Sequence, residues 1–223
     1  MRKTKTGQKE AASAGYFNME TASLAGFCGF CKKNIPLIIT VSIALFFTYG
    51  IKLFWYSIGI DTNTFMADKA KELDWSLQIG RFGYVFLAKL WYIREFNPFT
   101  AFFTAFCLIW FFTVSWCYIF AVFNKDTGRN NRLIPFALVF MTSPVWVSQF
   151  YFLNPVAENA FTISLCPYII YMLYKGFLDY EKGKIIIASV LLVFIISVYQ
   201  AIIPFFLLRD FCLFFAFSGT FGI

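Results

Sequence analysis

The chain has no histidine among its 223 residues, and only 14% of them are charged. The first absence removes the commonest general base and metal ligand. The second removes the solvated surface of an ordinary soluble domain. Of the six cysteines, Cys107, Cys117, Cys166 and Cys212 stand inside apolar runs, where small buried thiols are common. Cys28 and Cys31 form a single CxxC with neither a second pair nor a histidine, so no zinc site is expected. No Walker loop, dinucleotide fingerprint or serine-nucleophile elbow occurs. Cytosolic nucleotide chemistry therefore has no support.

What is present is apolar mass. Hydrophobic residues make up 60% of the chain, thirty-two of them phenylalanine. That much apolar surface needs lipid as its solvent. In hydrocarbon the backbone must bond to itself, which leaves helices or closed barrels. The apolar runs are continuous rather than alternating, so helices are expected. Five runs approach spanning length: 34–60, 97–123, 133–153, 157–174 and 185–208. Residues 82–92 are apolar too, but with Lys89 among them they are too short to cross about 30 Å of hydrocarbon. They read as a helix lying in the interface, with Trp91 and Tyr92 at headgroup level. The expected fold is an all-α polytopic membrane protein with about five transmembrane helices. Juxtamembrane amphipathic helices are expected in the first outer loop, residues 61–96. The last apolar piece, 211–223, is too short to cross and predicts a partial helix or a truncated form of something longer.

The net charge of +7 sets topology rather than marking a nucleic-acid partner. Lysines and arginines cluster in the tail 1–33, in the loop NKDTGRNNR and in residues 175–184. If 82–92 does not span, all three clusters fall on one side, as the positive-inside rule requires, and meet anionic lipid there. The tail 1–33 is therefore expected in the cytoplasm, with residues 34–223 as the membrane domain and the first span an uncleaved signal anchor. This topology sends Asp61, Asp68, Glu72, Asp74, Arg81, Asn154, Glu158, Asn159, Arg209 and Asp210 outward, with Tyr199 and Gln200 in the outer part of the last full span.

Within the first loop, Met66, Ala70, Leu73 and Leu77 recur at helical spacing and predict one amphipathic helix over residues 65–78. Asp68 and Glu72 read as solvated acids on its surface, with Lys69 and Lys71 near enough to neutralise them. Asp61 and Asp74 have a stronger claim to chemistry. A carboxylate at a hydrocarbon boundary has its ionised form disfavoured, which moves it towards general-base range. For Asp61 the plainer role is to end a span. Arg81 stands between glycines in IGRFG, and its forked donors suit a phosphate or carboxylate, or simply a lipid headgroup. Glu158 enters a span, where an acid is costly unless paired or hydrated. Its alternative role is to complement a helix N-terminus. Tyr199 and Gln200 can bond sugar hydroxyls or a neighbouring helix.

Taken in order, these features resemble one family. They are an acid after the first span (Asp61), a W…GR element (Trp75, Gly80, Arg81), the segment SPVWVSQFYFLNPVAENAF, and SVYQ in a later span. The resemblance is to the O-antigen glucosyltransferases (Gtr type II) of bacterial and phage membranes, within the glycosyltransferase C superfamily, and it covers most of residues 35–208. Members carry an acidic pair at the first loop, where here Asp61 is followed by Thr62. They also carry an aspartate near the position of Glu158. Which acid is catalytic is left open by those departures. Members are longer, so the chain resembles their N-terminal part.

The resemblance implies transfer of a hexose, typically glucose, from undecaprenyl phosphate to a glycan such as the O-antigen of lipopolysaccharide. The site would lie on the periplasmic face of the bacterial inner membrane. The partners implied are a polyprenyl-phosphate sugar donor, a glycan acceptor and the bilayer, with no tightly bound cofactor and the metal requirement open. Asp61, with Asp74 in reserve, would deprotonate the acceptor, and Arg81 would stabilise the departing phosphate. Trp75 would stack on a sugar ring, while Glu158, Tyr199 and Gln200 would orient hydroxyls. The competing class is a non-enzymatic membrane protein, either a lipid-sugar flippase or a subunit of a larger complex. A flippase needs ionisable groups along a path through the bilayer, whereas here they concentrate near one face.

Overall fold

A computed structural model describes residues 22–55, 60–91, 97–124, 128, 131–143, 155–200 and 203. Within these residues every regular element is a helix. They are α1 (Leu24–Lys33), α2 (Ile35–Tyr49), α3 (Ile51–Phe54), α4 (Ile60–Ala67), α5 (Lys69–Gln78), α6 (Phe82–Trp91), α7 (Pro98–Phe123), α8 (Leu133–Met141), α9 (Val156–Leu178) and α10 (Lys182–Val198).

Helices α7 and α9 are long and apolar enough to cross a membrane. Helices α1 and α2 pass the same test only together, and they meet at 88°, so the described residues hold two such spans, or three if that bent pair is one. For α8 and α10, the remainder of the predicted runs 133–153 and 185–208 lies largely outside the described residues, as does the piece 211–223. Helix α10 leaves off at Val198, where Tyr199 turns extended (φ −144°, ψ 102°). Pro204 has no N–H to give the carbonyl of Gln200, which weakens any helix carried through that point.

The core is the packing of α9 between α7 and α10. Phe111 stacks on Tyr168, and the Tyr168 hydroxyl meets Ser115 Oγ at 3.0 Å. Helix α2 shows why lipid is the solvent. Leu37, Val41, Leu45 and Tyr49 recur every fourth residue and are buried, while Ile39, Ile43, Phe46 and Phe47 on its other sides are exposed. On α10, Ile186, Ile187, Val190 and Val193 are likewise exposed, which suits hydrocarbon and not water.

The first apolar run is not one straight helix. Helix α2 stops at Tyr49, and at about 1.5 Å per residue its fifteen residues fall short of a hydrocarbon core. The chain then takes one more turn as α3 and goes extended at Trp55. Helix α1 occupies the end of the segment read as a tail. Ser23 caps it by accepting from Gly26 N at 3.0 Å.

Contacts fix the two ends of the bundle. The backbone N–H groups of Ala22 and Ser23 donate to the hydroxyls of Tyr171 and Tyr118, near the C-terminal ends of α9 and α7. Asn34 Nδ2 donates to the carbonyl of Gly128, in the loop before α8. Helix α1 therefore lies across the end where α7 and α9 finish and α2, α8 and α10 begin. Lys32, Lys33, Arg132, Lys175, Lys182 and Lys184 belong to this end, facing only Asp179 and Glu181 among its described acids. At the opposite end Tyr49 donates its hydroxyl to the carbonyl of Met141 at 2.7 Å, joining the last turns of α2 and α8.

Candidate functional site

The end opposite α1 is organised by α6. Midway along it, Phe86 meets Phe194 near the end of α10 edge to face at 6.2 Å. At its finish, Trp91 meets Phe161 near the start of α9 in the same way, at 5.5 Å. Helices α9 and α10 form an antiparallel hairpin, so both contacts are with the same end of it. Helix α6 lies across that end, and its ten residues cover only about 15 Å.

Arg81 is placed by a helix stop. Helix α5 ends with Gly80 at φ +83°, a left-handed conformation that glycine adopts without penalty. Gly80 N donates to the carbonyl of Leu77, and Arg81 N donates to that of Ser76 at 2.9 Å. These two bonds are those of a Schellman motif, which turns the chain sharply into α6. The glycines around Arg81 therefore serve the backbone. Gly80 ends α5, and Gly83 lets α6 approach α10 so closely that an added Cβ would fall against Ser197 Oγ, Val198 Cγ2 at 2.8 Å and the carbonyl oxygen of Phe194 at 3.0 Å.

Gln200 completes this arrangement. Its Nε2 donates to the carbonyl of Ile79 at 3.2 Å, tying the residue after α10 to the turn that presents Arg81, across 121 residues of sequence. Tyr199 beside it is half-buried and extended. The structure thus brings together Arg81, Tyr199 and Gln200, with Gln200 spending an amide N–H on the turn. Arg81 is half-buried, and its Nε–H has no hydrogen-bond partner among the described residues. An unmet donor costs about 1–3 kcal/mol, so this one is suited to an incoming oxygen.

Glu158 stands in the first turn of α9 and is fully buried. Neither of its carboxylate oxygens has a hydrogen-bond partner among the described residues. Asn159 beside it is buried as well. The N-cap of α9 is Pro155, which brings no side-chain hydrogen bond to that terminus.

The predicted helix over 65–78 is in fact two. Asp68 breaks it by accepting from Lys71 N at 3.0 Å as the N-cap of α5. The break resets the helical phase, so Phe65, Leu73 and Ser76 are buried while Met66, Ala70 and Leu77 of the predicted stripe are not. Asp74 and Trp75 are exposed on α5. Asp61 lies in the first turn of α4, and its side chain is outside the described residues. Asn154, Arg209 and Asp210 are outside them altogether. Among the described residues no three acidic or cysteine side chains group to hold a metal ion.

Two contributors were missed in the sequence. The sequence places Trp91 only at headgroup level, and the small pair Gly83 and Ser197 carries no local pattern that marks a helix contact. The pair has a measurable consequence. Gly83→Ala forces Cβ onto a backbone carbonyl and onto Ser197, whose Oγ is itself held to Phe194 O at 2.6 Å. Overpacking of this kind costs about 1–3 kcal/mol. A lower thermal unfolding midpoint of the detergent-solubilised protein is the expected reading, and an unchanged midpoint would remove the close α6–α10 packing.

No curated protein and no solved structure matches the chain. One protein-family model does, and it covers residues 50–219 of the 223, from the end of α2 through the Arg81 turn, the buried Glu158 and Gln200. The match spans every element that builds the α6 end, and the chain belongs to the glucosyl transferase GtrII family.

Proposed function

We propose that the chain moves a hexose, glucose by preference, from undecaprenyl phosphate to a surface glycan such as O-antigen, at the periplasmic face of the bacterial inner membrane. The observation that carries this reading is the clasp of Gln200 on the turn of Arg81, which sets a half-buried guanidinium at the end of the bundle opposite the basic clusters of the tail, the loop before α8 and residues 175–184. The positive-inside rule assigns the basic end to the cytoplasm, which leaves the Arg81 end for the periplasm. A phosphate whose polyprenyl tail lies in the bilayer is held at such an interface.

The acceptor hydroxyl oxygen attacks the anomeric carbon of the donor hexose. The bond from that carbon to the phosphate oxygen breaks, and its electron pair leaves on the phosphate. The proton of the acceptor passes to Asp61, with Asp74 in reserve. Arg81 meets the charge that develops on the leaving phosphate. That leaving group is an anion of low basicity, so no general acid is required. Tyr199 and Glu158 contact sugar hydroxyls, Trp75 offers an exposed ring, and Gln200 contributes by holding the Arg81 turn.

Surface glycans from cells with and without the gene decide the matter. The gene should add one hexose substituent per repeat, seen as a hexose increment in the mass of the released polysaccharide. Identical glycans from both strains would overturn the proposal.

A further inference from the structure

Glu158 is the observation with the most left to explain. A carboxylate with no exposure and no hydrogen-bond partner among the described residues is held at a cost of several kcal/mol. Such a group inside a membrane protein is kept for something that supplies donors. Phe161 follows it by three residues, close to the same side of α9, and Trp91 meets Phe161 edge to face at 89°. That contact covers at most one face of the indole, and Trp91 is only half-buried. A carboxylate for hydroxyls beside an aromatic face for ring C–H groups is the chemistry that holds a neutral sugar.

The length of α6 decides which sugar. Arg81 precedes the helix and Trp91 ends it, so their backbones are separated by about 15 Å. One hexose attached to a phosphate at Arg81 does not extend that far. We propose that Glu158 and Trp91 form the subsite for the acceptor glycan, a neutral sugar with neighbouring hydroxyls, while the lipid-linked donor is held at the Arg81 end. This rests on the glycosyltransferase reading above. The carboxylate accepts two acceptor hydroxyls, Trp91 stacks on the ring, and a sugar carrying its own carboxylate is repelled.

The test uses the full chain in membranes, undecaprenyl-phosphate glucose as donor, and delipidated O-polysaccharide as acceptor. A second acceptor is the same polymer with its primary hydroxyls oxidised to carboxylates. Glu158→Gln should raise KM for the acceptor about tenfold or more, the loss of a charged hydrogen bond, and leave KM for the donor unchanged. It should also abolish the preference for the neutral polymer over the oxidised one, an effect that a merely structural role would not produce. Trp91→Ala should raise the same acceptor KM, and Trp91→Phe should largely restore it. Polysaccharide should quench the tryptophan emission of the Trp75→Phe protein and no longer do so once Trp91→Phe is added to it. This last reading needs no turnover, so it judges the subsite even where the wild type transfers nothing, a result that would instead overturn the enzymatic reading. A rise in donor KM in place of acceptor KM, an unchanged discrimination in Glu158→Gln, or quenching that persists when Trp91→Phe is added to Trp75→Phe would each overturn the subsite.

Discussion

Arg81→Ala is expected to lower kcat about 10²–10³-fold in membranes supplied with undecaprenyl-phosphate glucose, while the protein accumulates normally. The magnitude is that of removing one preorganised donor from a developing oxyanion. Protein levels should hold because the turn at Gly80 is made by backbone bonds from Gly80 N and Arg81 N, neither of which needs the guanidinium. Arg81→Lys keeps the charge and loses the fork, so it should recover only part of the rate. The separation of kcat from KM carries the argument. A headgroup anchor would alter membrane insertion and leave kcat alone, whereas a group that meets charge only as the phosphate departs lowers kcat and kcat/KM together. Gln200→Ala should behave as a weaker version of the same change, because it loosens the turn and leaves the guanidinium in place. Wild-type turnover in Arg81→Ala would move the phosphate elsewhere.

How much of this arrangement the sequence reveals depends on the range of the interaction. Helix α7 was expected over 97–123 and runs over Pro98–Phe123, because an uninterrupted apolar run with Asn97 and Pro98 at its head is a local signal. Helix α9 was expected to end at 174 and continues to Leu178. Lys175, which opens the basic segment 175–184, continues the helix and lies buried near the Tyr171 ring at 6.0 Å. The break at Asp68 was written in the sequence as an aspartate three residues before the N–H it caps, but the apolar spacing across it suggested continuity. The clasp from Gln200 to Ile79 and the Trp91–Phe161 contact had no local signature at all. Each joins residues far apart in sequence whose separate patterns say only that they are polar or aromatic near an interface. The acids were therefore legible as residues worth attention, and their division of labour was not. Asp68 proves to be a cap, and Glu158 is buried with no hydrogen-bond partner for its carboxylate among the described residues.

The largest effect of all is expected from Asp61→Asn, which should reduce hexose transfer about 10²–10⁴-fold, the range over which general-base catalysis acts. Asparagine keeps the size of the side chain and its ability to accept a hydrogen bond, so binding of the acceptor survives while proton removal does not. The position favours a base for a physical reason. Asp61 lies in the first turn of α4, where unmet backbone N–H groups favour a negative charge, and it follows the first apolar run, where neighbouring hydrocarbon disfavours one. Asp74 is the comparison. It sits exposed on α5, away from any such balance, so Asp74→Asn should cost far less than Asp61→Asn. The assay is release of labelled hexose from undecaprenyl phosphate into polysaccharide, normalised to the amount of protein in the membrane. If Asp74→Asn proves silent in transfer and Asp61→Asn abolishes it, the base is Asp61. The reverse order assigns the proton to Asp74, and full activity in both variants removes the first loop from proton transfer.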